Sequence, residues 1–174
     1  MSKSLVLKLL YFQLLWFVVL AYDHPLLYLL SIVSIGLDYH FFQYKINKIN
    51  YLYFLCFICF VGLCLDFTYY HLEIMQWDKD VFYPQSLNQI WMIFVVYYPS
   101  VFKKFEGKLI LAFVFAAIFA PLAYISGAKI SSLSFALKSW FDILCFSLSW
   151  GSFFVLSLLS FDFLEKKSSL SSKK

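Results

Sequence analysis

The sequence predicts an all-α, polytopic membrane protein with six transmembrane helices and with both its N- and C-termini in the cytoplasm. Of the 174 residues, 63% are hydrophobic and only 14% are charged. A soluble chain of this length cannot bury so much apolar surface, because small domains leave a large share of their surface in water. Composition therefore predicts a membrane protein. Six long apolar segments predict its helices, and the lysines between them predict the orientation of those helices.

Each apolar segment has roughly 16–22 residues, close to the ~20 with which a helix crosses about 30 Å of hydrocarbon. The segments are continuous and lack the alternation that is typical of a membrane β-barrel. We predict helices over residues 5–21, 26–42, 51–70, 87–102, 109–125 and 140–161. The first segment starts with lysines, like a signal peptide, but its apolar run is long and contains Gln13 and Trp16. We therefore expect residues 1–21 to be retained.

The lysines indicate the orientation of the helices. All 14 basic residues are lysines. With a cytoplasmic N-terminus and six crossings, only Lys79, Lys129 and Lys138 fall outside, and the other eleven lie on the cytoplasmic side. This asymmetry follows the rule that cytoplasmic loops carry the excess of positive charge. The distribution therefore predicts six crossings with both ends inside.

The last ten residues, EKKSSLSSKK, are polar and rich in serine and lysine. We predict that residues 165–174 form a disordered cytoplasmic tail beside anionic headgroups, and that residues 1–164 form one transmembrane domain. The lysines lie at segment ends and form no stripe, so nucleic-acid binding is not expected. Membrane lipids are the expected partners, together with a membrane-protein partner. The oligomeric state stays open.

One carboxylate, Asp66, follows a long apolar run in the third segment. The predicted topology puts it about four residues, or about 6 Å, from the outer end of its helix. A charge costs much less there than at the centre of the bilayer. Asn88, Trp91 and Tyr124 fall at a similar depth. These side chains either converge on one pocket around Asp66 or reach separately for the interface.

Polar and helix-distorting residues also occur deeper in the first and fifth segments. Gln13 and Trp16 share a face of the first helix at i, i+3 spacing. A glutamine amide in hydrocarbon needs a polar partner, so Gln13 either bonds a neighbouring helix or contacts a ligand. Pro121 lies in the fifth segment among small alanines. It either kinks a tightly packed helix or breaks the helix and exposes carbonyls to a ligand.

No catalytic motif is visible in the sequence, which lacks G-x-S-x-G, H-E-x-x-H and a glycine-rich phosphate loop. His71 and Glu73, with Asp78 and Asp80, are interpreted as a solvated acidic loop and not as a metal site. We therefore predict no catalytic residue, no metal and no cofactor. The candidate ligand-binding residues are Gln13, Trp16, Asp66, Asn88, Trp91, Pro121 and Tyr124.

Several stretches resemble a bacterial inner-membrane family called domain of unknown function 2878. They are YFQLLWFVVLA (11–21), GLCLDFTYYHLEIM (62–75), LNQIWMIFVVYYPSVFKKF (87–105) and AAIFAPLAYISGAKISSL (116–133). The resemblance covers about residues 8–155. The positions that match the family pattern are Gln13, Trp16, Asp66, Trp91, Pro121, Leu122, Tyr124 and Gly127. Ala120 departs from the glycine of that pattern, and Gln85-Ser86-Leu87 departs from its Pro-Leu-Trp.

The resemblance implies a multi-pass protein of the bacterial inner membrane that is associated with fatty-acyl modification. We expect a non-catalytic protein with a polar pocket in the outer half of the membrane. Its expected role is accessory, in membrane-lipid modification or envelope stress. Two alternatives stay open. One is a small-solute carrier or substrate-binding membrane subunit, which Gln13 and Pro121 favour. The other is a membrane enzyme acting on acyl chains, with Asp66 and Tyr124 as its acid/base pair.

Overall fold

The computed structural model describes residues 3–22, 24–42, 46–77, 80, 82–97 and 103–171. Its helices are α1 (Lys3–Tyr22), α2 (Leu26–Phe42), α3 (Lys48–His71), α4 (Gln85–Tyr97), α5 (Leu109–Ala128) and α6 (Trp140–Ser171). The all-α class and the six helices are thereby confirmed. A short 3-10 turn (Lys103–Phe105) precedes α5, and two short strands, β1 (Met75–Gln76) and β2 (Ser134–Phe135), pair with each other.

The helices form two groups that α3 joins. α1 and α2 pack against α4, whereas α5 packs along α6 over much of its length. α3 contacts both α4 and α6. Large side chains fill the interior, and Trp91, Phe54 and Phe146 are among the fully buried ones. The arrangement leaves α1 and α4 on one side and α5 and α6 on the other, with α3 behind them.

Length and composition suit three of these helices to a membrane. Within the described ranges, α3, α5 and α6 are long and apolar enough to cross one, and residues 10–22 of α1 form a shorter apolar helix. Large apolar side chains are exposed on the outside of the bundle, as at Ile110, Phe141 and Leu144. Extensive exposed apolar surface is typical of a protein whose surroundings are lipid.

The described part of the central helix, α4, has 13 residues. The helix was predicted to continue to residue 102, and residues 98–102 lie outside the described part of the chain.

The C-terminal end of α6 differs from the predicted disordered tail. The helix continues to Ser171, so it includes most of residues 165–174, and residues 172–174 lie outside the described part. Ser168 is only 8% exposed. Its hydroxyl accepts hydrogen bonds from the Asn50 side chain (3.0 Å) and from the backbone N–H of Asn47 (3.3 Å). These contacts fix the last turns of α6 against the start of α3 and explain why the segment is ordered.

The N-terminus of α3 is capped by Asn47, whose side chain accepts from the backbone N–H of Asn50. Its C-terminus closes with the Glu73 N–H bonded to Tyr70 and the Ile74 N–H bonded to Tyr69. This pair of bonds is a Schellman motif, and Glu73 takes the left-handed conformation that the motif requires, at φ 56°. The chain therefore reverses sharply from α3 into β1.

A small cap closes this end of the bundle. Met75 of β1 pairs with Phe135 of β2 in antiparallel register, and the Ala136 N–H donates to the Ile74 carbonyl. Outside the strands, the Lys138 ammonium lies 2.8 Å from a Glu73 carboxylate oxygen. This hydrogen bond holds the pKa of Glu73 below its usual range and raises the pKa of Lys138. We call the two strands with this ion pair the cap.

Candidate functional site

Asp66 is the centre of a closed polar cluster near the end of α3. Its side chain is 0% exposed. One carboxylate oxygen accepts from the Tyr83 hydroxyl and from the Trp91 indole N–H, both at 2.6 Å. The other accepts from the Tyr124 hydroxyl at 3.1 Å. Asp66, Tyr83, Trp91 and Tyr124, which we call the Asp66 cluster, tie α3, α4, α5 and the segment before α4 together.

The donors of the cluster are neutral. In the described part of the chain, no lysine or histidine forms an ion pair with Asp66. Tyr83 lies outside the helices, and burial together with the nearby carboxylate raises its pKa above the ordinary range. Its hydroxyl therefore keeps its proton and remains a donor. The cluster is held by three hydrogen bonds from uncharged groups to one carboxyl group.

Trp91 has close contacts with Gly62 and Trp150. A Cβ atom at Gly62 would lie 2.2–2.5 Å from its indole ring, so only glycine allows this approach. The Trp150 indole stacks on Trp91, with ring centroids 5.3 Å apart and planes at 5°. Stacked aromatic pairs of this kind add to the energy of burial alone. The glycine of the apolar run before Asp66 therefore makes room for the ring that bonds Asp66.

A cleft of about 470 Å³ lies between α1, α4, α5 and α6. Its volume falls in the range of about 300–1,000 Å³ that is typical of ligand sites. Most of the lining is aromatic or aliphatic, and no charged residue lines it among those described. The side chains with polar groups are Gln13, Trp16, Trp91, Tyr124, Ser126 and Trp150.

The α5 wall of the cleft is built from small residues. Ala116, Ala120, Ala123 and Gly127 all line it. At Gly127 the two sides of the cleft meet, because a Cβ atom there would lie 2.9 Å from Leu20 of α1. Small residues allow helices in a membrane to approach closely. This stretch of α5 therefore lets α1 come near at one end and leaves open space along the alanines.

Two aromatic residues separate the cleft from the Asp66 cluster. The rings of Trp91 and Tyr124 line the cleft, while their N–H and O–H groups donate to Asp66. Asp66 itself does not line the cleft. The predicted polar pocket is thus divided into a closed cluster, which holds the charge, and a mainly apolar cleft in front of it.

The cleft contains polar groups that bond nothing in the described structure. The Trp150 side chain is 7% exposed, and its indole N–H has no hydrogen-bond partner. The Gln13 amide likewise has none among the described residues. The Ser126 hydroxyl, in contrast, donates to the Leu122 carbonyl. Buried polar groups without partners are rare. Among the described residues, the Trp150 indole N–H and the Gln89 side-chain oxygen are such groups, whereas Gln13 is exposed.

Four of the predicted site residues, Gln13, Trp16, Trp91 and Tyr124, come together around the cleft. The interhelical bond considered for Gln13 is not formed in the described structure. α1 packs through buried apolar side chains such as Leu15 and Val19 instead. The amide therefore belongs to the cleft and not to a helix–helix contact.

The other three predicted residues lie apart from the cleft lining. Asp66 is behind the aromatic wall, and Asn88 donates to the Tyr28 hydroxyl at 3.1 Å, which ties α4 to α2. Pro121 is buried within α5, which continues from Leu109 to Ala128 without a break. The broken-helix alternative for Pro121 is therefore wrong. Neighbouring helices and local adjustment allow a proline within a membrane helix.

Three important residues were not singled out from the sequence: Gly62, Tyr83 and Trp150. Gly62 lies in the apolar run before Asp66, and its role depends on Trp91, which follows it by 29 positions. Tyr83 lies in a connection, and Trp150 lies in the middle of an aromatic helix. No local pattern distinguishes them, because their importance comes from partners that are distant in sequence.

The fold and the cleft define a class of protein: a helical protein in which three of the described helices are long and apolar enough to cross a membrane. Within that class the chain belongs to the family described as protein of unknown function DUF2878, whose model matches residues 5–156. No curated protein and no solved structure matches the chain. The family description assigns no activity, so the site itself is the source of the functional argument.

Proposed function

We propose that the protein spans the bacterial inner membrane six times, with both termini in the cytoplasm. The lysine distribution and the three long apolar helices support this topology. The contact between the start of α3 and the end of α6 fits helices of alternating direction. In this topology the Asp66 cluster and the cap lie towards the outer side. Reporter fusions at the loop after α5 and at the C-terminus test it, and a cytoplasmic signal from the α5 loop contradicts it.

Within that membrane, the proposed function is non-catalytic binding of the apolar chain of a lipid in the cleft. The observation that carries this proposal is a cleft of about 470 Å³ with aromatic and aliphatic lining and no charged residue among those described. Its rim includes Phe17, Phe119 and Leu122, which remain exposed. An acyl chain reaches such a rim from the surrounding hydrocarbon without any polar group having to be desolvated. A polar solute loses its water there and finds few partners.

The closed state of the Asp66 cluster supports a binding role over an enzymatic one. A general acid or base must come within hydrogen-bond reach of the proton that it transfers. The Asp66 carboxyl group is fully buried and already accepts three hydrogen bonds behind the aromatic wall. The continuous α5 helix favours binding over transport, because solute carriers commonly build their sites from discontinuous helices.

The physiological role that we propose is accessory, in membrane-lipid modification or envelope stress. A protein that holds a lipid chain in a lateral cleft can present that lipid to a partner or keep it from the bilayer. Deletion of the gene is then expected to change the proportions of modified acyl chains in total lipid extracts. Identical lipid profiles in the deletion strain and its parent, under envelope stress as well as in normal growth, contradict this role.

Photo-crosslinking tests lipid binding directly. The purified protein is placed in phosphatidylcholine nanodiscs that contain a phosphatidylcholine with a diazirine in its acyl chain. We expect labels on cleft residues, and we expect Ala120→Phe to lower that labelling severalfold because a phenyl ring fills the space beside Ala120. The matched control is Ile118→Phe, which puts the same ring on an exposed position of α5 outside the cleft.

The distribution of the label decides the result. Labels concentrated on the cleft and reduced only by Ala120→Phe support the proposal. Equal labelling of all exposed helix faces, with no effect of Ala120→Phe in a protein that still elutes as a single species, overturns it.

A further inference from the structure

We propose that the lipid chain lies in the cleft with its methyl end towards the cap, so that the bound lipid is a phospholipid of the cytoplasmic leaflet. This inference rests on the proposed function and adds to it the orientation and the class of the ligand. Three features of the cleft support it: one end is closed, the wall opens away from that end, and the closed end lies near the ends of two helices.

The first feature is the closed end of the cleft. A Cβ atom at Gly127 would lie 2.9 Å from Leu20 and 3.1 Å from the Trp16 ring, so α5 and α1 are in contact there. Leu20 is only 4% exposed. Met75 of β1 and Leu133, just before β2, also line the cleft, and both are buried. An apolar chain that reaches this end can therefore extend no further.

The second feature is the wall of the cleft away from the cap. Gln13 and Phe17 line the cleft from α1 and are exposed, whereas Leu20 is buried. Phe119 and Leu122 line it from α5 and are also exposed. The cleft is therefore open to the surrounding hydrocarbon along this part, and a chain enters it from the side away from the cap.

The third feature is the position of the closed end along the helices. Leu20 precedes the end of α1 at Tyr22 by two positions, and Gly127 precedes the end of α5 at Ala128 by one. The closed end is therefore near one surface of the hydrocarbon layer. The cleft extends from there to Phe115, over twelve positions or about 18 Å of helix rise, which passes the middle of a ~30 Å layer.

These features orient a bound phospholipid. Its headgroup stays at an interface, because transfer of a charged phosphate into hydrocarbon is very costly. A chain whose headgroup lies near the cap would have to pass the contact between Leu20 and Gly127, which leaves no room for it. A chain whose headgroup lies at the opposite interface enters the open part and points its methyl end at the closed end. In the proposed topology, that interface is the cytoplasmic one.

The experiment compares two phosphatidylcholines that carry a diazirine at opposite ends of the same acyl chain, one near the methyl group and one near the carbonyl. Each is placed in phosphatidylcholine nanodiscs with the unchanged protein, and the labelled peptides are mapped by mass spectrometry. We expect the methyl-end probe to label residues at the closed end, such as Leu20 and Leu133. The carbonyl-end probe is expected to label the other end, at Phe12 and Phe115. The ratio of labels at the two ends should differ severalfold between the probes.

Two matched variants test the same orientation. Ala116→Phe and Ala123→Phe put the same ring at two depths of the lining, seven positions or about 10 Å apart. Ala123→Phe is expected to lower labelling by the methyl-end probe severalfold and to spare labelling of Phe115 by the carbonyl-end probe. Ala116→Phe is expected to lower labelling by both probes, because it obstructs the cleft nearer its entrance. Ile118→Phe, at an exposed position outside the cleft, is expected to change neither.

The outcomes separate the inference from the proposed function. The expected end-to-end difference between the probes supports the inference, and the mapping on the unchanged protein gives this result even if a variant fails to fold. The reverse pattern, with the methyl-end probe on Phe115 and the carbonyl-end probe on Leu20, overturns the inference while lipid binding stands. Equal labelling of both ends by both probes overturns it in the same way. Absence of cleft labelling by either probe contradicts the proposed function itself.

Discussion

The two sides of the Trp91 and Tyr124 wall differ in how their polar groups are satisfied. Behind the wall, both oxygens of Asp66 accept hydrogen bonds and no part of the side chain is exposed. In front of it, the cleft is mainly apolar, the Gln13 amide is exposed, and the Trp150 N–H is buried without a partner in the described structure. A satisfied polar cluster fixes a structure, whereas an open apolar cleft has room for an apolar ligand. The carboxylate is therefore a structural centre, and the cleft is the proposed binding site.

The largest loss of stability is expected when the Asp66 carboxylate, the acceptor of the cluster, is removed. Asp66→Ala leaves two hydroxyl groups and one indole N–H without their acceptor, at about 1–3 kcal/mol for each buried donor. We expect the folded fraction in detergent to collapse, measured as the monodisperse peak that survives heating before size-exclusion chromatography. Asp66→Asn keeps one carbonyl acceptor and is expected to fall between Asp66→Ala and the parent protein.

Asp162→Ala is the control for this prediction, because it removes a carboxylate from α6 that forms no hydrogen bond to the described residues. Its folded fraction is expected to stay close to that of the parent. Equal stability of Asp66→Ala and Asp162→Ala contradicts a structural role for the cluster.

A smaller loss of stability is expected when the Trp91 ring, which forms part of the wall, is displaced. Gly62→Ala puts a Cβ atom 2.2–2.5 Å from the Trp91 ring, on which Trp150 stacks. Overpacking of this kind costs about 1–3 kcal/mol. The change is expected to lower the temperature of heat-induced aggregation and to disturb both the cluster and the cleft. Gly36→Ala makes the same exchange where nothing lies within 4 Å, and it is expected to be neutral or slightly stabilising. A Gly62→Ala protein as stable as Gly36→Ala rules out a tight contact here.

The smallest effect is expected at the cap. Its ion pair, between Glu73 and Lys138, is exposed. The contribution from Glu73, whose pKa is lowered, is present above its ordinary pKa and is lost as pH falls through the lowered value. The contribution from Lys138, whose pKa is raised, is present below its ordinary pKa and is lost as pH rises through the raised value. Lys138→Gln is expected to speed hydrogen exchange in residues 73–76 slightly at neutral pH, with no change in acid. The effect is expected to be slight because exposed ion pairs are weak. In acid Glu73 is protonated and the ion pair is lost, so an equal effect of Lys138→Gln in acid contradicts its attribution to this ion pair.

Much of the fold could be predicted from the sequence because membrane helices are specified by local composition. The starts of α2, α5 and α6 at Leu26, Leu109 and Trp140 match the predicted segments. The end of α6 could not be predicted in the same way. Its last turns are ordered by Ser168, which bonds residues about 120 positions earlier in the chain.

The sequence singled out some residues of the candidate site but not their arrangement. Asp66, Trp91 and Tyr124 stood out because polar and amphipathic groups in apolar helices are rare. Their division into a closed cluster and an open cleft depends on which edge of each ring faces which way, and that is set by tertiary packing. Trp150 and Tyr83 complete the two sides, and only their distant partners distinguish them from the many other aromatic residues.

The polarity at the start of α4 has a consequence for how the protein is made. A helix whose first two turns contain Gln85, Asn88 and Gln89 offers a translocation channel a weak signal for release into lipid. α4 packs against α1, α2 and α3, which precede it on the ribosome, and its Trp91 stacks on Trp150 of α6, which follows it. The earlier helices are available when α4 emerges. The Asn88 amide then donates to the Tyr28 hydroxyl of α2, and the Gln89 amide donates to the His24 carbonyl just before α2. The order of synthesis thus allows a segment whose first turns are polar to become the centre of the bundle.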